Sequence, residues 1–226
     1  MIDPEKVGNE QDLRNLLDNI VSCGTDAILI GGSTAILESD VDRVVKVVEE
    51  FDIPSILFPG SVAGLSRYAD AVLFISLLNS ENPYFIVGAH VYAAPIIKRY
   101  GLEVLPTGYI IVGYGGSAGF MGYARPIPYE KPELVAAYAL AAQYLGMRYV
   151  YLEAGSGAPK PVPLEAIKMC RSVLDPDVML IVGGGIRDPE TARNIARSGA
   201  DIIVTGTVVE QDLDRACRII KALKEG

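Results

Sequence analysis

Two stretches near the C-terminus, Val182-Gly183-Gly184-Gly185-Ile186-Arg187 and Val204-Thr205-Gly206-Thr207-Val208, decide how this chain folds. Each is an apolar run that ends in small residues and passes straight into a helical pattern, so backbone N–H groups face whatever docks at the turn. Strand 178–182, helix 189–198, strand 201–205 and helix 209–224 make two βα units in series. A (β/α)8 barrel places such a pair after its seventh and eighth strands to grip a phosphate. A lone Gly-Gly-Gly reads as a turn; the spacing to the second motif favours a phosphate cradle.

Working back toward the N-terminus, short apolar runs alternate with helical patterns. The runs are Ala27-Ile28-Leu29-Ile30, Ser55-Ile56-Leu57-Phe58, Ala71-Val72-Leu73-Phe74-Ile75, Tyr109-Ile110-Ile111-Val112 and Tyr149-Val150-Tyr151-Leu152. Continuous apolar strands are buried on both faces, hence parallel. Helices are expected over 10–23, 39–51, 83–100, 132–146 and 162–174, with starts marked by Ser39-Asp40, Pro132 and Pro189. Only Met1 and Ile2 precede Asp3-Pro4, where a barrel strand of about five residues belongs. The expected fold is α/β, a TIM-type (β/α)8 barrel with a truncated first strand, spanning 1–226 as one domain. At that seam the barrel is expected to close poorly, or the natural protein to begin upstream.

Composition narrows the function. Twenty basic residues against 28 acidic ones give a net charge of −8, which argues against a nucleic-acid partner or a polybasic membrane surface. An anionic substrate must then be held by local backbone dipoles or a metal. Cys23, Cys170 and Cys217 are widely spaced and form no metal-binding pattern, so they read as reduced thiols of a cytoplasmic protein. No apolar run is long enough for a transmembrane segment, and no signal peptide precedes the first element. The single histidine, His90, falls in an expected helix, which leaves little room for histidine metal sites or Ser-His-Asp chemistry.

Parallel strand ends point into one mouth, so chemistry is sought at Asp3, Gly31 to Thr34, Phe58-Pro59-Gly60, Ser76 to Asn79, Glu153 to Gly157, Gly184-Gly185 and Gly206-Thr207. Two carboxylates appear in that set. Glu153 closes a buried strand, a costly place for a charge unless it is paired or functional, although a loop or cap carboxylate would also stand there. Asp3 is equally a turn opener before Pro4. Beside it Ser33 offers a hydroxyl, and carboxylate plus hydroxyl are the hard oxygen donors that Mg²⁺ accepts together with phosphates and water. As a plain structural residue, Ser33 or Thr34 would cap the next helix.

These segments together resemble the geranylgeranylglyceryl phosphate synthase family, which shares its frame with the heptaprenylglyceryl phosphate synthases. The resemblance is carried by Ile2-Asp3-Pro4, Ile30-Gly31-Gly32-Ser33-Thr34, Phe58-Pro59-Gly60, Ser76-Leu77-Leu78-Asn79-Ser80, Val182 to Ile186 and Val204 to Val208. Its most specific part is Tyr151-Leu152-Glu153-Ala154-Gly155-Ser156-Gly157-Ala158. It implies a cytoplasmic, Mg²⁺-dependent prenyltransferase that joins sn-glycerol 1-phosphate to geranylgeranyl diphosphate and releases diphosphate. It also implies Mg²⁺ ligands at Asp3 and Ser33. Glycerol phosphate contacts then fall on Tyr151, Leu152, Glu153, Ala154, Gly155, Ser156 and Gly157, on Gly184 and Gly185, and on Gly206 and Thr207. The family forms dimers or hexamers, so a homo-oligomer is expected. Its members usually carry several residues, often one of them basic, before the Asp-Pro pair; here there are two.

Within that frame Glu153 is the expected proton acceptor for the glycerol hydroxyl, with Tyr151 orienting the glycerol. The prenyl tail needs an apolar groove, for which Phe74, Leu77, Leu78, Tyr84, Phe85, Tyr92, Tyr109 and Tyr123 are candidates. Gly113 to Gly122 reads as a mobile cover over the mouth. Two rivals remain open, a phosphosugar isomerase or epimerase and a non-catalytic phosphate-binding barrel. Against the first, the mouth residues include neither the histidines of metal-dependent epimerases nor a Schiff-base lysine.

Overall fold

The computed structural model describes residues 1–32 and 37–225. Seven parallel strands follow one another around a single sheet: β1 (Ile28–Ile30), β2 (Ser55–Leu57), β3 (Ala71–Leu77), β4 (Glu103–Ile111), β5 (Tyr149–Glu153), β6 (Met179–Gly183) and β7 (Ile202–Val204). The nine α-helices among the described residues are α1 (Glu10–Ser22), α2 (Glu38–Val48), α3 (Ala89–Tyr100), α4 (Gly116–Met121), α5 (Pro132–Tyr144), α6 (Leu164–Val173), α7 (Pro189–Arg197), α8 (Thr207–Gln211) and α9 (Leu213–Lys224). This is a TIM-type arrangement, with strand order equal to chain order.

Side-chain alternation along the strands divides the core into two layers. Leu73, Leu77, Tyr109, Ile111, Tyr151 and Val204 fill the inside of the barrel. Val72, Ile110, Val150, Leu152 and Val182 lie in the larger outer layer with the helices. The helices present apolar stripes to that layer, as α9 does through Ala216, Ile219 and Ala222. Between β2 and β3 the chain has only a 3₁₀ turn, Val62–Gly64, where a barrel ordinarily lays a helix. Helix α3 reaches the outer face of β3, with His90 against Phe74.

Met1 and Ile2 take the place of a further strand. Ile2 pairs in parallel with Ile30; its N–H donates to Leu29 at 2.7 Å, and its carbonyl accepts from Gly31 at 3.0 Å. On the other side the Met1 nitrogen donates to the Thr205 carbonyl at 2.8 Å. The seam expected to close poorly is thus bridged by three backbone hydrogen bonds.

Other differences from the sequence expectations have local causes. Strand β4 begins at Glu103 instead of Tyr109, because Pro106 disguised its first half. Proline is tolerated there because β4 outruns β5, whose pairing starts only at Thr107. Helix α2 starts at Glu38 behind Leu37, with no side-chain cap, so Ser39 lies inside it. Helix 83–100 opens with a π turn, Tyr84–Gly88, and helix 209–224 is divided at Asp212, whose carboxylate caps α9 through the Arg215 N–H at 2.9 Å. Pro132 and Pro189 occupy first-turn positions as expected.

The reading of three reduced thiols is overturned for two of them. Cys23, at the end of α1, and Cys217, in α9, form a disulfide across 194 residues of sequence. Closure of the ring makes the first and last helices neighbours, which linear spacing conceals. Cys170 is the free thiol among the described residues; burial pushes it up to about 12, so it stays protonated. A cross-link closing so long a loop removes much unfolded-state entropy, stabilising the fold by roughly 2–5 kcal/mol. The paired substitution Cys23→Ser with Cys217→Ser, or a strong reductant, is expected to lower the melting temperature by about 10 °C in calorimetry. An unchanged melting temperature would contradict this.

Candidate active site

A cavity of about 650 Å³ opens at the mouth formed by the C-terminal strand ends. Glu153 ends β5 with its residue only 7% exposed, and the cavity reaches it. The turn that follows folds back so that the Gly155 N–H donates to Glu153 Oε1 at 2.6 Å. Gly184, at a left-handed φ of +83°, crosses directly over this carboxylate; a Cβ there would lie 2.5 Å from Oε1 and 2.6 Å from the Gly155 nitrogen. One reason for glycine in the Val182–Arg187 stretch is therefore the close approach of the β5 and β6 turns, in addition to any ligand.

Below Glu153 lies an aromatic floor. Tyr109 and Tyr151 are register partners on adjacent strands, with ring centroids 5.0 Å apart at 85°. Phe58 stacks on Tyr151 at 5.5 Å and meets the Tyr109 edge at 5.8 Å. Burial pushes the Glu153 carboxyl above the usual carboxylate range, opposed by the Gly155 N–H and by the nearby Tyr151 and Tyr109 hydroxyls. Burial and then the Glu153 charge push both phenols well above their ordinary value. Both tyrosines consequently remain protonated donors facing a carboxylate of raised basicity.

Toward the seam, the turns after β5 and β7 meet through a 3.1 Å contact between Ser156 Oγ and Thr207 Oγ1. Gly157, Gly184, Gly185 and Gly206 line the same part of the cavity. The helix after β7, α8, has only five residues, so the phosphate reading there rests on amide groups and hydroxyls more than on a helix dipole. The side chains of Leu152 and Ala154 are fully buried in the outer layer. Ala154 also spends its N–H on Gly183 and its carbonyl on Gly115, which makes it a packing residue.

Asp3 is 8% exposed and follows the seam residue Ile2, placing its backbone beside Gly31 and Gly32. Its Oδ1 accepts the Glu5 N–H at 3.1 Å, the turn-opening role, while Oδ2 lies 3.5 Å from the half-exposed Lys6 ammonium. Ser33 and Thr34 lie outside the described residues. Ser76 and Asn79 prove structural: Ser76 Oγ bonds the Ile86 carbonyl, and the Asn79 amide binds Ile111 and Arg125 backbone.

From the polar mouth the cavity continues over β3 into an apolar arm between that strand and α3, reaching Leu65, Val72, Phe74, Ala93 and Ile97. Of the groove candidates, Phe74, Leu77, Phe85 and Tyr109 line the cavity. Leu78 packs in the outer layer, and Tyr84, Tyr92 and Tyr123 are exposed. The α3 contributors Ala89, His90, Ala93 and Ile97 were missed, although their helical spacing marks one face. The imidazole of His90 lies edge-on to Phe74 at 4.3 Å. Arg187 and Arg215, also on the cavity wall, were not singled out either. The supposed cover, Gly113 to Gly122, contains α4 and rests on the β5 turn, with the Gly115 N–H donating to Ala154 at 2.8 Å.

The match to known proteins extends through this geometry. A relative from Sulfolobus acidocaldarius, named geranylgeranylglyceryl phosphate synthase, is 51% identical over 224 residues, covering 99% of this chain and 87% of that protein. A protein of the same name from Thermofilum pendens is 53% identical over 230 residues, covering 100% of this chain and 89% of its own. The crystal structure of (S)-3-O-geranylgeranylglyceryl phosphate synthase from Thermoplasma acidophilum in complex with sn-glycerol-1-phosphate superposes with a TM-score of 0.94 at 38% identity, covering 100% of this chain and 92% of that one. The PcrB family model matches residues 1–224, and this chain belongs to the PcrB family.

Proposed function

We propose that this protein is a prenyltransferase that forms the ether bond between sn-glycerol 1-phosphate and geranylgeranyl diphosphate, with release of diphosphate. One observation carries the reading. A single cavity joins a buried carboxylate and glycine-rich turns to an apolar arm outside the barrel, and such a shape suits a small phosphate-bearing alcohol meeting a long hydrocarbon. An isomerase of phosphosugars has no use for that arm. The named relatives support the same reaction.

In this reading the glycerol hydroxyl attacks the allylic carbon as its bond to the diphosphate oxygen breaks, and Glu153 takes the hydroxyl proton. The raised basicity of Glu153 suits that transfer, since a general base works best with a pKa near the working pH. The Tyr151 and Tyr109 hydroxyls lie near the carboxylate and favour its ionised form. The turns bearing Ser156, Gly157, Gly184, Gly185, Gly206 and Thr207 hold the glycerol phosphate.

Asp3 would hold Mg²⁺ together with Ser33. Among the described residues no group of three or more His, Cys, Asp or Glu could hold a metal ion. A single hard carboxylate, with one oxygen on the Glu5 N–H and the other 3.5 Å from a half-exposed lysine, fits an ion that takes most of its ligands from diphosphate and water. When bound, Mg²⁺ neutralises charge developing on the departing diphosphate. We place the enzyme in the cytoplasm, as the family resemblance implies; among the described residues no helix is long and apolar enough to cross a membrane. A homo-oligomer is supported by Leu134, Tyr144 and Leu145, which α5 and its end leave exposed.

Incubation with Mg²⁺, geranylgeranyl diphosphate and each glycerol phosphate enantiomer is expected to yield a prenyl ether from the sn-1-phosphate alone, detected by mass spectrometry of the extract. No product from either enantiomer would reject the prenyltransferase. Glu153→Gln is expected to lower kcat by about 10²–10⁴-fold while sparing glycerol phosphate binding in calorimetry. The base must be ionised, so kcat/KM falls as pH drops through the Glu153 pKa, on an acid limb above the usual carboxylate range. Tyr109→Phe removes a donor that stabilises the ionised form and should move that limb to higher pH; an unmoved limb would remove Tyr109 from the site.

A further inference from the structure

Arg187 closes the Val182–Arg187 stretch, yet neither the glycine turns nor the proton transfer uses it. Its Nη2 donates to the carbonyls of Gly157 at 3.2 Å and Ala158 at 2.8 Å. The side chain thereby ties the β6 turn to the end of the β5 turn, and it lines the cavity beside Gly184, Gly185 and Thr207. Two cationic side chains stand on the cavity wall among the described residues, Arg187 and Arg215. Arg215 is neutralised by Asp212, with Nε 3.3 Å from Oδ2. Arg187 has no carboxylate within ion-pair distance among the described residues; its hydrogen bonds go to the two carbonyls alone.

The surroundings give that unpaired charge a purpose. Helix α7 begins at Pro189, which has no N–H, and the Asp188 carboxylate already caps it, accepting from Thr191 N at 2.8 Å and Thr191 Oγ1 at 2.7 Å. A negative group therefore occupies the helix end that would otherwise attract an anion. Helix α8 is a single short turn. In a chain of net charge −8, a phosphate at these turns needs a cation close by, and a guanidinium is suited to phosphate oxygens.

We propose that Arg187 is a phosphate-binding residue: with Nη2 fixed on Gly157 and Ala158, its Nε and Nη1 donors hold the phosphate of the glycerol substrate. The assignment rests on the phosphate-cradle part of the functional reading and does not need prenyl transfer. Calorimetric titration of the full chain with inorganic phosphate and with sn-glycerol 1-phosphate tests it, using Arg187→Gln and Arg187→Lys. Arg187→Gln should weaken both ligands roughly 10- to 100-fold and flatten the salt dependence of binding. Arg187→Lys, which keeps the charge and loses the fork, should fall between it and the parent. Geranylgeranyl diphosphate affinity should stay within about twofold, since that ligand is assigned to the Asp3 side of the mouth. Phosphate affinities equal to the parent's in both variants would overturn the proposal. So would an equal loss in both accompanied by a lower melting temperature, because a clamp on the β5 turn alone would behave that way. A parent that binds phosphate tightly yet forms no prenyl ether would sink the prenyltransferase reading and leave Arg187 in place.

Discussion

Three backbone hydrogen bonds made by Met1 and Ile2 close the ring of strands, and the place of each functional group follows from that closure. A parallel barrel sends all strand ends to one mouth only if the first and last strands are held together. Here the bridge has no hydrophobic strand of its own, so other contacts share the load. Ile2 is buried in the outer core, Lys6 pairs with Glu210 of α8 at 3.2 Å, and the Cys23–Cys217 bond ties α1 to α9. The same closure brings Asp3 beside Gly31 and Gly32 and the Met1 side chain against Gly206. The hydrogen-bonded seam of the barrel thus runs beside the proposed metal and phosphate groups.

Electrostatics at the mouth solve a problem set by composition. In the proposed reaction an acidic chain must hold anions while keeping a carboxylate usable as a base. Burial handles the second requirement. Removing Glu153 from water raises its affinity for a proton, and one oxygen is kept polar by the Gly155 N–H, so the group is neither abandoned in apolar surroundings nor neutralised by a cation. The first falls, in the proposed reading, to Arg187, whose charge no acidic side chain cancels among the described residues.

How much of this was legible in the sequence depended on whether the signal was local. Apolar runs and glycine turns are local, so all seven strands were placed. The exception in extent was β4, whose Pro106 and Gly108 imitate a loop. Glu153 stood out because a charge directly after a buried strand needs a reason. What escaped is what closure and side-chain direction create. The disulfide joins positions 194 residues apart. Tyr109 looked like tail-groove material, yet register with Tyr151 turns it inward beneath Glu153. Leu152 and Ala154 belong to the same motif as Glu153 but point the other way, because successive strand residues alternate between faces. Ser33, the proposed second metal ligand, lies outside the described residues.

The apolar arm shows how a fold built around polar strand ends would accommodate the proposed long hydrocarbon. Inside the barrel, Tyr109, Tyr151 and Phe58 leave no room below the mouth. The remaining route is over the rim, and it is open only because a 3₁₀ turn, Val62–Gly64, replaces the helix that would otherwise cover β2 and β3. Phe74 and Val72, on the outer side of β3, then line the cavity beside α3, with the Phe74 ring against His90, instead of packing under a helix of their own. The π turn Tyr84–Gly88 at the head of α3 carries Phe85 to the cavity, joining rim to arm. Shortening one connection therefore gives the mouth a second compartment of opposite polarity, while Glu153 and the glycine turns keep the positions that the closed ring dictates.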